Sequence, residues 1–503
     1  MRTWVIRAFT AALVAGLVGA TPAAAAPRPA ATYIVQLRSG VSDTQARALV
    51  REAGGRITGR LHIIHALAAR LDAGAARTLR HDARVRALTF DARVRPQDVV
   101  NGSRLQTSYP WAVSAPYAWD KATGEGVGVA VIDTGIAGQL PEFTDDDGTS
   151  RVKASAVTNP GATSPDDTYG HGTHVAGILA GNGGALDPSD PRYLHYLGIA
   201  PDANLVSIKV ADDDGNATVL DVIYGLQFAV DHQSDYDIRV VNLSLASTTP
   251  ESYKTDPLDA AAESAYFHGI LVVAAAGNRG TAPDAGDYAP GNDPFVLSVG
   301  AVDDNGTATT SDDTMASWSS SGATQDGFAK PDIAAPGAHI VSLLAPNSAF
   351  ASMCPSCIVE PGYIRAGGTS MAAPVVSGTA ALLFQRHPDW TAPQVKAALL
   401  GTARSISGTS LREVNAYNAV RLGDPPAGVD PNVPPNGLVD PSDGDIDYSR
   451  SSWSRSSWST VSGGLAASWA RSSWSCTCPG GNGQVDPTRS SWSRSSWSTK
   501  WDY

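Results

Sequence analysis

The sequence predicts an α/β fold in which a parallel sheet is covered by helices on both faces, preceded by a smaller α+β domain. Between about residues 108 and 422, short β-branched apolar runs alternate with helical stretches, which is typical of a parallel sheet buried on both faces. Before that region, residues 32–95 show strand and helix patterns in the order βαββαβ. A chain of 503 residues is also too long for one ordinary domain.

The first 26 residues have the features of a secretory signal peptide. Arg2 and Arg7 give a positive start, AFTAALVAGLVGA is apolar, and Ala23–Ala26 supplies small residues for cleavage. The apolar run is too short to span a membrane, and no later stretch is long enough. We therefore expect a secreted protein, with a retained membrane anchor as the alternative.

Residues 27–102 are predicted to form the smaller domain. TYIVQL, ITGRLHII, HALAARL and VRALTFDARV are strand candidates, while SDTQARALVREAG and AGAARTLRHD are helix candidates. The resulting order is that of a ferredoxin-like α+β domain. Residues 27–95 contain 13 arginines against five acidic residues, whereas the whole chain carries a net charge of −12. The small domain is therefore basic, whereas the rest of the chain is strongly acidic.

Residues 103–422 are predicted to form the parallel-sheet domain. Its strand candidates include GVGVAVID, ANLVSIKV, IRVVNLSL, GILVVAAAG and FVLSVGAV. Helix candidates include HGTHVAGILAG, VLDVIYGLQFAVDH, DPLDAAAESAYFHG and GTSMAAPVVSGTAALLF. In such sheets, functional groups gather beyond the carboxyl ends of the strands, where Asp133 and Asn278 lie.

The C-terminal part differs from both domains. Residues 423–448 are rich in Pro, Gly and Asp, which is typical of a linker, and residues 449–503 form a low-complexity tail. A five-residue spacing of Trp suits neither a helix nor a strand, so we expect a repeated turn or a flexible array. Two roles stay open: stacking of Trp on cell-wall sugars, or a tail that is trimmed after export. The tail holds five copies of RSSWS, which begin at Arg450, Arg455, Arg471, Arg489 and Arg494.

In a secreted chain, four cysteines are interpreted first as disulfides. Cys354 and Cys357 lie in CPSC, and Cys476 and Cys478 lie in CTC. Local pairs, 354–357 and 476–478, are favoured, and the two other pairings stay open. Because no histidine pair stands near CPSC at metal-ligand spacing, the sequence does not favour a zinc site.

Three blocks far apart in sequence carry the groups of a nucleophilic triad. VAVIDTG contains Asp133, GHGTHVAG contains His171 and GGTSMAAP contains Ser370. A serine hydroxyl becomes a strong nucleophile when an imidazole takes its proton and a carboxylate orients that imidazole. The order Asp, His, Ser is one of the few that converge on this arrangement, and it differs from the order in α/β-hydrolases. The sequence therefore predicts acyl transfer at Ser370.

Acyl transfer also needs hydrogen-bond donors for the oxyanion. We expect one from the side-chain amide of Asn278, after a turn at Gly277, and the other from the backbone N–H of Ser370. Ser370 stands at the start of an apolar helix, whose positive end would face the developing charge. His174, three residues after His171, is interpreted as structural.

With these blocks, the chain resembles the subtilisin-like serine peptidases, or subtilases. The resemblance covers about residues 108–422 and includes LSVGAVD, WSSSG and DIAAPG. It implies a subtilisin-like fold, assigns the triad roles to the three residues named above and places Asn278 in the oxyanion hole. Residues 27–102 resemble the family's propeptide, which implies an intramolecular inhibitor and folding chaperone that is cleaved off during maturation.

The family binds substrate as an added strand between two edge segments, and the resemblance assigns two segments of this chain to that role. Ala246 and Ala217 stand where the family usually has Gly, so each adds a methyl group at the cleft edge. Either these methyl groups narrow the subsites upstream of the cut, or both point into solvent and change nothing. The predicted substrate-binding residues are Ser244, Leu245, Ala246, Gly215, Asn216 and Ala217.

These features predict a secreted serine endopeptidase that matures from a prepro-form, acts on polypeptides as a monomer and requires no cofactor for catalysis. The family's strong calcium loop is not recognisable, and Asp145–Asp147 and Asp212–Asp214 are either structural calcium sites or, as we favour, solvated turns. Nucleic acid is not an expected partner. Two rivals stay open: a catalytically silent surface-binding protein that acts through its tail, and a hydrolase of esters only.

Overall fold

The chain divides into two compact units, Met1–Asp98 and Val99–Tyr503. The predicted signal peptide, the predicted 476–478 disulfide and most of the repeat tail lie outside the described residues. In the described part, no helix combines the length and the apolar character that crossing a membrane needs. The computed structural model describes residues 30–61, 65–90, 104–145, 147–184, 186–445, 475–476 and 494–496.

The first unit is a four-stranded antiparallel sheet with two helices. Its elements are β1 (Ala31–Leu37), α1 (Asp43–Glu52), β2 (Arg56–Leu61), β3 (Ala66–Leu71), α2 (Ala73–Arg80) and β4 (Val85–Phe90). The strands stand in the order β2-β3-β1-β4, so the predicted ferredoxin-like arrangement is confirmed. Ser42 and Gln45 form a reciprocal capping box that fixes the start of α1. Val35, Leu67 and Leu79 are fully buried in the core between sheet and helices.

The second unit is built on a sheet whose centre holds seven parallel strands, in the order β16-β12-β11-β9-β5-β7-β6. The elements of this unit are α3 (Tyr109–Ala112), β5 (Gly128–Asp133), β6 (Val152–Val157), α4 (His171–Ala180), β7 (Asn204–Lys209), β8 (Ala217–Thr218), α5 (Val219–Asp231), β9 (Ile238–Leu243), β10 (Ala246–Ser247), α6 (Pro257–Phe267), β11 (Leu271–Ala275), β12 (Leu297–Asp303), β13 (Thr314–Met315), β14 (Gly322–Ala323), β15 (Ala329–Lys330), β16 (Ile333–Pro336), β17 (Ile340–Leu343), α7 (Ala349–Met353), β18 (Ile358–Glu360), β19 (Tyr363–Ala366), α8 (Thr369–Arg386), α9 (Ala392–Thr402), β20 (Arg404–Ser405), β21 (Arg412–Glu413), α10 (Ala416–Val420), β22 (Ser475–Cys476) and β23 (Arg494–Ser496).

Residues of the central strand β5 alternate between two hydrophobic layers. Val129 and Val131 pack in the layer that contains α4, α8 and α9. Ala130 and Ile132 pack in the layer that contains α5 and α6. Successive strand residues point to opposite faces of a sheet, so the two layers lie on its two sides. The parallel sheet with helices on both faces confirms the predicted fold class.

The C-terminal part contains packing that its composition does not predict. Asn436, inside the predicted linker 423–448, is buried, and its side-chain amide donates to the carbonyl oxygens of Tyr253 and Asp256. Its backbone N–H donates to Glu263 at 2.7 Å. This part of the segment therefore packs on the second unit. In the tail, β22 pairs with β6, and β23 pairs with β8 and β10, although the repeat spacing predicts a repeated turn or a flexible array.

Candidate active site

Three predicted site residues follow neighbouring strands at one edge of the sheet. Asp133 is the last residue of β5, Ser244 comes directly after β9, and Asn278 lies just beyond β11. These strands are adjacent and parallel in the order β11-β9-β5, so their carboxyl ends meet. The sheet thereby gathers groups that are up to 145 positions apart in the numbering, from 133 to 278.

Asp133 and His171 form a hydrogen-bonded pair in the interior. Asp133 Oδ1 lies 2.7 Å from His171 Nδ1, and both side chains are fully buried. Asp133 Oδ1 also accepts a bond from the backbone N–H of Thr134 at 2.8 Å, which fixes the carboxylate at the end of β5. Gly172 permits this approach, because a Cβ atom there would stand 3.0 Å from Asp133 Oδ1 and would clash with the carbonyl oxygen of Gly135.

Asp167, which sequence reasoning missed, joins the loops beside this pair. Its carboxylate accepts bonds from the backbone N–H groups of Gly170 and Thr173 at 2.7 Å each, and from the Thr134 hydroxyl at 2.8 Å. Burial raises the pKa of Asp167, and these donors act in the opposite direction. The Thr134 oxygen in turn accepts a bond from the N–H of Gly172, so the start of α4 is tied to the end of β5.

A small buried cluster that contains a disulfide contacts the imidazole through Phe350. The disulfide between Cys354 and Cys357 forms as the sequence favours, and both residues pack with Phe350 in a small cluster. The ring of Phe350 meets the ring of His171 edge-on, with 6.0 Å between their centroids. The rings of Phe350 and Tyr169 are likewise edge-on at 5.4 Å. Aromatic contacts of this kind limit the movement of the imidazole.

Ser370 is the second residue of α8 and is bonded to Ser244 in both directions. Its hydroxyl donates to the carbonyl oxygen of Ser244 at 3.0 Å, and the Ser244 hydroxyl donates to the carbonyl oxygen of Ser370 at 2.7 Å. Asn242 of β9 donates to the Ser244 hydroxyl at 3.0 Å and accepts a bond from Ser377 of α8 at 2.9 Å. The start of α8 is therefore held at the carboxyl end of β9, beside the strand that carries Asp133.

Asn278 is held against the residue before Ser370. Its side-chain oxygen accepts bonds from the backbone N–H of Thr369 at 3.0 Å and from the Thr369 hydroxyl at 3.1 Å. The Thr369 hydroxyl oxygen also accepts a bond from the N–H of Gly277, whose φ of +98° requires glycine. Because its oxygen is bonded to Thr369, the Asn278 amide has a fixed orientation beside the residue that precedes Ser370.

His174 has the environment of a structural residue. It is fully buried, and its Nε2 lies 3.1 Å from the carbonyl oxygen of Ile364. Burial, and secondarily the nearby charge of His171, lowers its pKa to about 3. The ring therefore stays neutral at ordinary pH, and its contact is to the backbone of β19.

The chain was compared with known protein families. The subtilase family matches residues 124–427, which is more than half of the chain. The chain belongs to the subtilase family. The serine protease AprX of Bacillus subtilis (strain 168) is 41% identical over 283 residues, 55% of this chain and 61% of AprX. Subtilisin BL of Lederbergia lenta is 37% identical over 316 residues, 62% of this chain and 97% of that protein. Subtilisin E of Bacillus subtilis (strain 168) is 32% identical over 418 residues, 81% of this chain and 95% of that protein.

Membership in this family confirms the predicted enzyme class, and the subtilase is a serine-type endopeptidase. Its predicted substrate edges are two-residue strands, β8 and β10. Leu245 and Ala217 are buried in the layer of α5 and α6. Ala217 is 1% exposed and Ala246 is 7% exposed while β23 pairs with both, and the effect of their methyl groups on the subsites stays a prediction. Gly215 has φ +81°, and a Cβ atom there would stand 2.5 Å from the Tyr169 ring.

The acidic turn before β8 is held by the protein itself. Asp212 accepts bonds from the backbone N–H groups of Asp214 and Asn216, at 3.0 and 2.7 Å. Asp213 forms an ion pair with the buried Lys209 at 2.9 Å. Within the ranges that the structure describes, no group of three or more His, Cys, Asp or Glu side chains is placed to hold a metal ion. Structural calcium stays a prediction.

Proposed function

We propose that this subtilase is a secreted endopeptidase that cleaves peptide bonds through Asp133, His171 and Ser370. The observation that carries the proposal is the buried Asp133–His171 hydrogen bond at the sheet edge where Ser244 holds Ser370. The orientation of the imidazole is set by that bond, as a general base next to a nucleophile requires. The two short strands β8 and β10 support a polypeptide substrate, because short edge strands can pair with an extended chain through backbone groups alone.

In the proposed reaction, His171 takes the proton of the Ser370 hydroxyl as Oγ attacks the carbonyl carbon. Asp133 holds the imidazole in one orientation and stabilises its positive form. The amide nitrogen of Asn278 and the backbone N–H of Ser370 donate to the oxyanion, at the positive end of α8. His171 then gives its proton to the leaving amine, and an acyl-enzyme remains on Ser370. Water, deprotonated by His171, hydrolyses this ester and restores the enzyme.

Maturation from a prepro-form is part of the proposal. Residues 1–26 would direct export, and residues 27–102 would inhibit the enzyme until they are cleaved off. The βαββαβ order of the first unit and its excess of arginine support a separate, removable segment. The mature enzyme is proposed to be a monomer with no required cofactor, with polypeptides and not nucleic acid as partners. Structural calcium and contact of the tail with a cell wall remain secondary proposals.

Digestion of casein by the purified protein and by its Ser370→Ala variant tests the proposal. We expect the native protein to digest casein and to lose its N-terminal segment. The Ser370→Ala variant should do neither when no other protease is present. Hydrolysis of a nitrophenyl ester without digestion of casein would favour the ester-only rival. Inactivity of the native protein in both assays would favour a catalytically silent binding protein.

A further inference from the structure

One strand of the tail lies between the two edges that are proposed to bind substrate. β23 pairs with β10 on one side, with Ser496 opposite Ala246 and Ser495 opposite Ser247. On its other side β23 pairs with β8, with Ser495 opposite Ala217. Both ladders are antiparallel, and β23 is the central strand of this three-stranded sheet. This segment therefore occupies the place of an added substrate strand.

The backbone N–H and C=O groups of Ala246 in β10 point toward β23. The N–H of Ser247 donates to the carbonyl oxygen of Ala289 at 2.7 Å, which lies outside the ladder with β23. Successive residues of a strand turn their N–H and C=O groups to opposite sides. The groups of Ala246 therefore face β23, and Ala246 with Ser496 forms the hydrogen-bonded pair of this ladder.

The backbone N–H and C=O groups of Ala217 in β8 point toward the opposite edge of β23. The residue before it, Asn216, uses both of its backbone groups on Asp212: its N–H donates to Oδ1 at 2.7 Å, and its carbonyl oxygen accepts at 2.8 Å. By the same alternation, the groups of Ala217 face β23, where Ser495 is the partner. Both alanines that were predicted to bind substrate thus bind the tail.

We propose that the cleft between β8 and β10 binds the Arg-Ser-Ser part of an RSSWS repeat as a strand, so that the tail competes with polypeptide substrates. This inference rests on the proposed function, since the same edges would bind substrate. The two hydrogen-bonded pairs use only backbone groups, which every polypeptide offers. A substrate strand and β23 cannot occupy the edges at the same time, so each excludes the other.

Charge and covalent attachment both favour this occupant. Residues 449–503 contain six basic and two acidic residues, whereas Asp212–Asp214 stand immediately before the β8 edge and Asp214 is exposed. Arg494, the first residue of β23, is opposite Thr218 at that edge. Opposite charges therefore favour the approach of the tail. A tethered ligand also reaches a higher effective concentration than a free one, so a weakly binding strand can keep substrate out.

The test uses the full chain with one backbone donor removed from every repeat. Proline at the position of Ser495 removes the N–H that faces Ala217 and cannot continue the ladder. Alanine at the same positions is the matched control, because it keeps the N–H and removes only the hydroxyl. Five positions are changed together, since another copy could otherwise take the place of β23. The changed residues are Ser451, Ser456, Ser472, Ser490 and Ser495.

For a chromogenic peptide substrate, the five-proline variant should show a KM at least about threefold below that of the five-alanine variant, with kcat unchanged. Equal KM values in the two variants would overturn the proposal. If neither variant nor the native chain hydrolyses the substrate, the proposed function has failed instead. If all three chains are active and their KM values are equal, the tail proposal is wrong and the proposed function stands.

If the five-proline variant cannot be produced as a folded protein, a synthetic peptide tests the competition in a second way. The blocked peptide RSSWSRSSWS, added to the native chain, should raise the apparent KM in initial-rate measurements, whether or not it is slowly cut. The same peptide with proline in place of the first serine of each repeat is its control. Equal effects of the two peptides would contradict strand pairing in the cleft.

Discussion

The two parts of the proposed active site are held in place by different means. The Asp133–His171 pair is fully buried, and the surrounding hydrogen bonds come from residues of the same core. The substrate edges β8 and β10 are two residues long, and among the described residues their ladder partner is β23, far along the chain. The proposed reacting groups are thus built into the fold, while the edges pair with a strand from a distant part of the chain.

The buried core and the substrate edges should therefore affect different kinetic constants. A core that fixes the imidazole and the nucleophile sets the barrier of the chemical step. An edge made of backbone groups accepts any extended chain and therefore responds to whatever competes for it. Changes in the core should lower kcat, and changes at the edges should alter KM.

The largest effect is expected for His171→Ala, which removes the proposed general base. We expect kcat/KM to fall by about 10⁴-fold, because the Ser370 hydroxyl then has no partner to take its proton. Steady-state hydrolysis of a peptide substrate measures this loss. His232→Ala is the control, since His232 lies at the partly exposed end of α5 and bonds to Asp235. A similar loss in both variants would contradict the assignment of His171.

Asp167→Ala should have the next largest effect. Removing this carboxylate leaves the N–H groups of Gly170 and Thr173 without their acceptor, at a cost of about 1–3 kcal/mol, and releases Thr134. The position of His171 should loosen, and kcat should fall by about 10- to 100-fold with little change in KM. Asp166→Ala changes the exposed neighbouring carboxylate and should leave kcat unaltered. A rise in KM alone would place Asp167 with the edges and not with the core.

Gly215→Ala tests the edges without changing the reacting groups. Its positive φ is unfavourable for alanine, and the added Cβ would push against the Tyr169 ring and displace β8. In the five-proline background, where the tail does not compete, we expect KM to rise by about 3- to 10-fold while kcat changes little, assuming that β8 supplies about 1 kcal/mol of binding. Gly269→Ala is a matched control, because its φ is also positive but nothing lies within 4 Å of the added atom. If Gly269→Ala raises KM equally, backbone strain and not displacement of the edge is the cause.

The smallest effect concerns a buried carboxylate on α6, which belongs to neither part. Burial, together with the negative charge of Asp293, holds the pKa of Glu263 far above its ordinary value of 4.5. The folded state therefore keeps a proton that the unfolded state releases, so this residue makes stability fall as pH rises above about 4.5. Glu263→Gln keeps an acceptor for Asn436 and removes that dependence.

Thermal unfolding of chains that also carry Ser370→Ala measures this effect without self-digestion. The Glu263→Gln chain should be at least about 1 kcal/mol more stable than its parent at pH 9, and the two should converge toward pH 5. Glu125→Gln, at an exposed site, should change neither value. A parent and a Glu263→Gln chain with parallel pH profiles would show that Glu263 is ionised in the fold.

The parallel sheet could be predicted from the sequence, because a buried strand leaves a local hydrophobic pattern. The five strand candidates all contain strands of the parallel sheet, because buried parallel strands are continuous apolar runs. The three blocks of the proposed triad were recognisable because each places glycine and other small residues close to its reactive residue. Gly172 illustrates why, since any side chain there would collide with Asp133 and Gly135.

The remaining features depend on contacts that a single sequence does not display. Asp167 and Asp166 are adjacent acids in a polar run, and only the fold buries one of them. Asn436 lies in a segment with the composition of a spacer, and its buried bonds arise from α6 and the turn before it. The pairing of β23 joins edges and a repeat that are far apart in the chain, so no local pattern predicts it.

Labelling with a fluorophosphonate, followed by mass spectrometry of the digested protein, shows whether Ser370 is the nucleophile. We expect one adduct, on Ser370, which disappears in His171→Ala because the hydroxyl is no longer activated. Ser377, buried on the same helix and bonded to Asn242, serves as an internal control and should stay unlabelled. Digestion of casein by a protein that carries no adduct on Ser370 after labelling would contradict the assignment of Ser370 as the nucleophile.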